Sequence, residues 1–181
     1  MKKSIVLTIQ IMVAMSCIFA AKKNTKAVLL DWQYRNEGEE IPLWVTAAAQ
    51  SDNKTAVREL GLDGYKVWIL KETGTDLEDL EFSADTAGIT ELVAREFRLD
   101  IKENSIYEDS IKEQLMQKVM EVISSKDIRG LQKVESFWTK TGTPKTKKPK
   151  KDDDYNLKWN YYSVWVMEKA LYDIQLEEMI N

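Results

Sequence analysis

The sequence predicts an α+β fold: a small, mainly antiparallel sheet of about three strands, with long helices packed on one face. Three observations carry this. β-branched and aromatic residues concentrate in three short segments, 65–71, 132–139 and 156–167. Apolar residues recur at helical spacing over about 76–98 and 110–126. The order is strand, two helices, two strands, helix, which segregates helices and strands instead of alternating them.

Taken in order, residues 22–40 are polar and mixed, with Asn36, Glu37, Gly38, Glu39 and Glu40 in sequence, and read as a flexible tether. A single domain then occupies 41–181. Ile41, Pro42, Leu43, Trp44 and Val45 form an apolar knot, with Pro42 holding its predecessor extended. Residues 47–60 are helical, interrupted around Ser51, Asp52 and Asn53, and end at Gly61. The strand at 65–71 lies between Gly64 and Gly74. Thr75 or Asp76 caps the next helix, and Glu78 and Asp79 fall in its first turn, where the helix dipole favours acids. Ile89, Val93 and Phe97 share one face of that helix with Phe82 and Leu92, and Gly88 weakens its middle. Ser110 with Glu113 has the form of a capping box for a second helix, whose apolar stripe is Ile111, Leu115, Val119, Val122 and Ile123. Gly130 turns the chain into the second strand. A charged hairpin loop at 142–155 leads to the third, and a final helix starts near Lys169.

Upstream of the domain, residues 1–20 read as a signal peptide. Lys2 and Lys3 precede an uncharged apolar run over 5–21, and Lys22, Lys23 and Lys26 end it. The run falls slightly short of the roughly 20 apolar residues that cross a bilayer comfortably. Two kinds of processing fit. Ala14, Met15, Ser16 and Cys17 resemble a lipobox, in which Cys17 is lipidated, although Ala14 stands where a larger aliphatic residue is usual. Cleavage after Ala20 or Ala21 is the alternative. Either way the expected location is exported, periplasmic or anchored at the outer membrane.

Composition narrows the chemistry. The 181 residues carry a net charge of −4, and removal of 1–20 takes Lys2 and Lys3 but no acid, leaving −6. An acidic domain without clustered Lys and Arg over a face is not built to bind nucleic acid broadly. There is no histidine. That removes the commonest general base, the usual zinc sites and every Ser-His-Asp arrangement. With one cysteine, no disulfide can form within the chain. No catalytic residue, metal site or cofactor is expected.

Two constellations are candidates for interaction. Lys145, Lys147, Lys148, Lys150 and Lys151 crowd one loop and would suit an anionic lipid surface, although Asp152, Asp153 and Asp154 follow directly. Trp138, Trp159, Tyr161 and Trp165 are the second. Alternation puts 159, 161, 163 and 165 on one face of the strand and 160, 162, 164 and 166 on the other, so both faces are apolar. Either one aromatic face is exposed for a partner, or the strand is covered on both sides. The aspartate triplet lacks the alternating ligand spacing of a calcium loop. Glu72, Asp76, Glu78, Asp79 and Glu81 cluster without a fixed pair separation, so hydrolytic carboxylate chemistry is not indicated.

The chain resembles small bacterial envelope lipoproteins, the twenty-kilodalton surface lipoprotein type together with the flagellar outer-membrane assembly proteins FlgP and FlgT. The resemblance covers about residues 41–175. It rests on the Pro42-Leu43-Trp44-Val45 entry, on the 65–70 strand leading to the helix with Ala94, Arg95 and Glu96, and on the late hairpin ending in Tyr161, Tyr162, Ser163, Val164, Trp165, Val166 and Met167. The family's glycine-rich stretch on the first strand is absent, the hairpin loop is longer and the lipobox is imperfect. The resemblance implies an α+β domain at the outer membrane or in the periplasm, with an assembly or scaffolding role and no catalysis. The expected partners are other envelope proteins or the chain itself, and the membrane through a lipid anchor on Cys17. A periplasmic ligand-binding or carbohydrate-active module, using the aromatic face and nearby acids, is the other function class.

Overall fold

Four strands form one antiparallel sheet in the order β1-β3-β4-β2, with β1 at Val28–Trp32, β2 at Tyr65–Gly74, β3 at Gln132–Pro144 and β4 at Tyr155–Glu168. The structure is a computed structural model and describes residues 26–103, 108–125 and 128–180. The segment 1–25, with Cys17, lies outside the described residues, as do the side chains of Val122 and Ile123. The α+β class and antiparallel sheet agree with the sequence.

Helices cover both faces. The long helices lie on one side, as expected: α3 (Leu77–Ser83) passes through a π-helical turn at Ala84–Gly88 into α4 (Ile89–Glu103), joined by α5 (Asp109–Ser125) and α6 (Lys169–Ile180). Two short helices, α1 (Leu43–Ala49) and α2 (Asn53–Leu60), pack on the other. Strand alternation divides the core accordingly. Trp68, Leu70, Tyr161 and Met167 pack with Val93, Phe97, Ile101 and Tyr172 beneath the long helices. Phe137, Tyr162 and Val164 pack with Trp44, Val45, Ala48 and Ala56 beneath the short ones.

Local chemistry sets the helix ends. Asp52 Oδ1 accepts the Thr55 amide at 3.1 Å to open α2, and Gly61 closes it at φ 67°. Asp76, not Thr75, caps α3, accepting the Asp79 amide at 3.2 Å. The α5 helix begins at Asp109, so Ser110 lies inside its first turn.

Four expectations change. Part of the tether is a strand: β1 pairs with β3 from Val28↔Gly142 to Trp32↔Thr139, with an irregularity between Leu29 and Asp31. It is short, and its neighbour supplies the pairing, so its own sequence carries little strand signal. The helix expected from residue 47 begins earlier, at Leu43, with Pro42 as its N-cap, which suits a residue without an amide hydrogen. The hairpin loop shrinks from 142–155 to 145–154, because Pro144 still pairs with Tyr155. Phe82 is 73% exposed and leaves the face formed by Ile89, Val93 and Phe97.

Candidate functional site

The outer edge of β2 forms one wall of a groove. Strand β2 pairs along its length only with β4, from Tyr65↔Glu168 to Gly74↔Trp159. The Tyr65 amide turns back to the Leu62 carbonyl at 3.1 Å. Beyond that bond, no backbone partner meets the outer side of β2 among the described residues. Helix α4 runs alongside and leaves a shallow groove of about 320 Å³. Four consecutive strand residues, Ile69, Leu70, Lys71 and Glu72, line it, so the wall is the strand's edge and not one face. Gly88, Glu91, Leu92 and Arg95 form the opposite wall. The sequence permits this approach because Gly88 has no side chain: a Cβ there would stand 2.8 Å from Glu72 Oε1.

The groove's chemistry suits an extended peptide. An open strand edge offers alternating N–H and C=O groups to a chain laid along it, while pockets beside it take alternate side chains. Lys71, Glu72, Glu91 and Arg95 present both signs of charge, with Leu92 between them.

Two polar clusters tie the long helices to the sheet. Lys133 on β3 forms an ion pair with Asp85 of the π-helical turn, and the Tyr161 hydroxyl lies 3.4 Å from each Asp85 oxygen. The hydrogen bond to Asp85 raises the Lys133 pKa above the ordinary lysine value. Burial, and then the Asp85 charge, raise that of Tyr161. Tyr161 therefore stays protonated and donates; it is no base near neutral pH. On the other side, Lys66 lies 2.7 Å from Glu96 and 3.4 Å from Asp100, and Tyr172 donates to Asp100 at 2.6 Å. Burial pulls the Lys66 pKa down, but the two carboxylates outweigh it and the net shift is upward. Burial, reinforced by Asp100, raises Tyr172 strongly. These groups join β2, α4 and α6.

Sequence reasoning named neither cluster. A usable signal existed in Glu96 and Asp100, which stand four apart and so share a helix face.

The aromatic constellation is corrected as an exposed platform. Trp138, Trp159 and Trp165 are partly buried against the core beneath the long helices, and Tyr161 is only 2% exposed. Trp138 and Trp159 meet edge to face at 4.9 Å, and Lys140 Nζ lies 5.3 Å from the Trp159 ring centre. The opposite face, with Tyr162, is covered as well. The strand is buried on both sides because α1 and α2 cover one face and the long helices the other.

The acids and lysines separate. Asp76 caps α3, Glu78 and Asp79 sit in its first turn, Glu81 lies further along it, and Glu72 lines the groove, so the five acids share no site. Among the described residues no group of His, Cys, Asp and Glu is placed to hold a metal ion, and no helix is long and apolar enough to cross a membrane. Lys147, Lys148, Lys150 and Lys151 are at the exposed hairpin tip, while Lys145 Nζ donates to the Asp153 carbonyl at 3.2 Å. No protein-family model, curated protein or solved structure matches this chain.

Proposed function

We propose that this chain is an exported cell-envelope protein, without catalysis, that works as an interaction or assembly module. Its partner, another envelope protein or a second copy, contributes an extended segment that lies along the outer edge of β2. The observation carrying this reading is the unpaired edge of a ten-residue strand beside a groove lined by both signs of charge. Edge strands of this length are usually paired or covered, since they otherwise pair with any extended chain. Export is supported by Lys2, Lys3 and the uncharged run over 5–21. The resemblance to envelope lipoproteins points the same way. A carbohydrate-active module would need an open aromatic platform, and Tyr161 is buried instead.

Two measurements test it. Intact mass of the protein recovered from membranes, compared with Cys17→Ala, reads the export step: acylated Cys17 or a terminus near Ala21 supports export, and an uncleaved cytoplasmic chain sinks it. A photoreactive amino acid placed at Glu91 reads the groove. The expected result is one discrete adduct in cells from Glu91 and none from Glu113 on exposed α5. An adduct of twice the chain mass makes the partner a second copy. Equal labelling at both positions, or none at Glu91, removes the groove from the proposal.

A further inference from the structure

The sheet register puts the start of the domain and the lysine-rich hairpin at the same end. Val28, the first residue of β1, pairs with Gly142, and Pro144 ends β3 two residues later. The chain therefore leaves its apolar segment and enters the fold beside the tip that carries Lys145, Lys147, Lys148, Lys150 and Lys151. Distance makes this placement matter. The eleven residues from Cys17 to Val28 span at most about 40 Å when fully extended. The thirteen residues of β3 are about 43 Å long. Lysines at the far end of the sheet would stand well outside the Debye length of about 8 Å at physiological salt. At this end they can reach within it.

The aspartates that follow the lysines do not neutralise them one for one. Asp152 forms an ion pair with Lys140 on β3. The Asp154 carboxylate accepts the backbone amides of Lys150 at 2.9 Å and Lys151 at 3.3 Å, shaping the tip. Among the described residues, the ammonium groups of Lys147, Lys148, Lys150 and Lys151 join no ion pair. Backbone amides are neutral, so Asp154 keeps its charge, and the five lysines of the tip are set against two carboxylates, Asp153 and Asp154. A domain that is acidic overall thus presents a net excess of basic charge at one tip, beside the point where the chain enters the fold.

We propose that this hairpin tip lies against anionic phospholipid headgroups beside the point where a lipid on Cys17 meets the membrane. The inference rests on the export reading for the membrane and on nothing in the β2 groove. An apolar anchor and a basic patch are two separate signals, and stable attachment commonly needs both. Together they fix the orientation, with the hairpin down and the β2 edge standing along the side of the domain.

Lysine footprinting of the full chain, recovered from membranes and reconstituted in vesicles, tests this. A water-soluble acylating reagent is applied in phosphatidylcholine alone and in phosphatidylcholine mixed with phosphatidylglycerol. Lys147, Lys148, Lys150 and Lys151 are expected to react about fivefold more slowly in the anionic vesicles, with recovery at high salt and no change at exposed Lys54 and Lys102. Equal reactivity in both vesicles overturns the proposal. So does protection that persists in phosphatidylcholine alone, or that spreads to Lys54 and Lys102. The intact mass of the same sample separates the two readings: a cleaved, unacylated chain in the soluble fraction overturns the hairpin contact and leaves export standing.

Discussion

Gly88 passes Glu72 so closely that a methyl group on it would lie 2.8 Å from Glu72 Oε1 and 3.0 Å from Leu70 Cδ2. Two effects oppose each other when that methyl is added. Alanine in a helix is favoured over glycine by about 1 kcal/mol. Overpacking costs about 1–3 kcal/mol. The Glu72 carboxylate can swing into the groove, whereas Leu70 is buried and cannot move freely. Gly88→Ala is therefore expected to cost about 1 kcal/mol in urea unfolding, and Gly88→Val more. In a Glu72→Ala background the alanine cost should shrink by about 0.5 kcal/mol or more, since neighbouring sites couple. A rise in stability from Gly88→Ala in the native background would mean that the wall is looser than its geometry indicates.

Stability should fall at alkaline pH, and the sign follows from the tyrosines. Tyr161, Tyr162 and Tyr172 are all raised above the ordinary value, each chiefly by burial. Above about pH 10 the unfolded chain loses those protons while the native chain retains them. The unfolded state then binds fewer protons, so unfolding becomes easier as pH rises. Lys66 and Lys133 act in the same direction above their ordinary lysine value, because both are raised as well. Below about pH 10 this contribution is fully present. Thermal melting across pH 8–11 should show the descending limb, and Tyr172→Phe should flatten it most. A melting temperature that is level through pH 11 would contradict the raised values.

How far the sequence could be read is clearest along the helix that carries Phe82 and Phe97. Seven residues separate Phe82 from Ile89, a spacing that puts them on one face of an uninterrupted helix. The π-helical turn at Ala84–Gly88 inserts an extra residue and rotates what precedes it by about 100°. Phe82 consequently faces solvent, while Phe97 is fully buried and stacks on Tyr172 at 4.5 Å. Phe97→Ala should cost about 3–5 kcal/mol, and Phe82→Ala should stay within about 0.5 kcal/mol. Equal losses in chemical denaturation would restore the uninterrupted phase.

The same distinction holds elsewhere. Long apolar periods, the Asp76 cap and the Gly61 terminus are local, and each could be read from a few adjacent residues. Strand β1 depends on β3, over a hundred residues away, and Leu29 and Asp31 lie on either side of its pairing irregularity. The Lys133–Asp85 pair joins residues 48 apart through the sheet, so no window of sequence contains it. The lysine run is local in sequence, but its place beside the chain entry is set by the distant Val28↔Gly142 register.

Trp68 and Trp165 face each other across β2 and β4 with opposite hydrogen-bond situations. Trp165 Nε1 donates to Ser163 Oγ at 3.1 Å, and Ser163 is wholly buried. Trp68 Nε1 is buried with no acceptor among the described residues. Replacing Trp by Phe removes apolar area in both cases, at about 25 cal/mol per Å². At Trp68 it also removes an unsatisfied donor, whose burial costs about 1–3 kcal/mol. At Trp165 it does the reverse and strands the Ser163 hydroxyl. Trp68→Phe is therefore expected to be close to neutral, and Trp165→Phe to cost about 2 kcal/mol more, from loss of the bond and of its partner's solvation. Paired guanidinium melts of the two variants read the difference. A Trp68→Phe loss as large as that of Trp165→Phe would show that the indole nitrogen of Trp68 is satisfied after all.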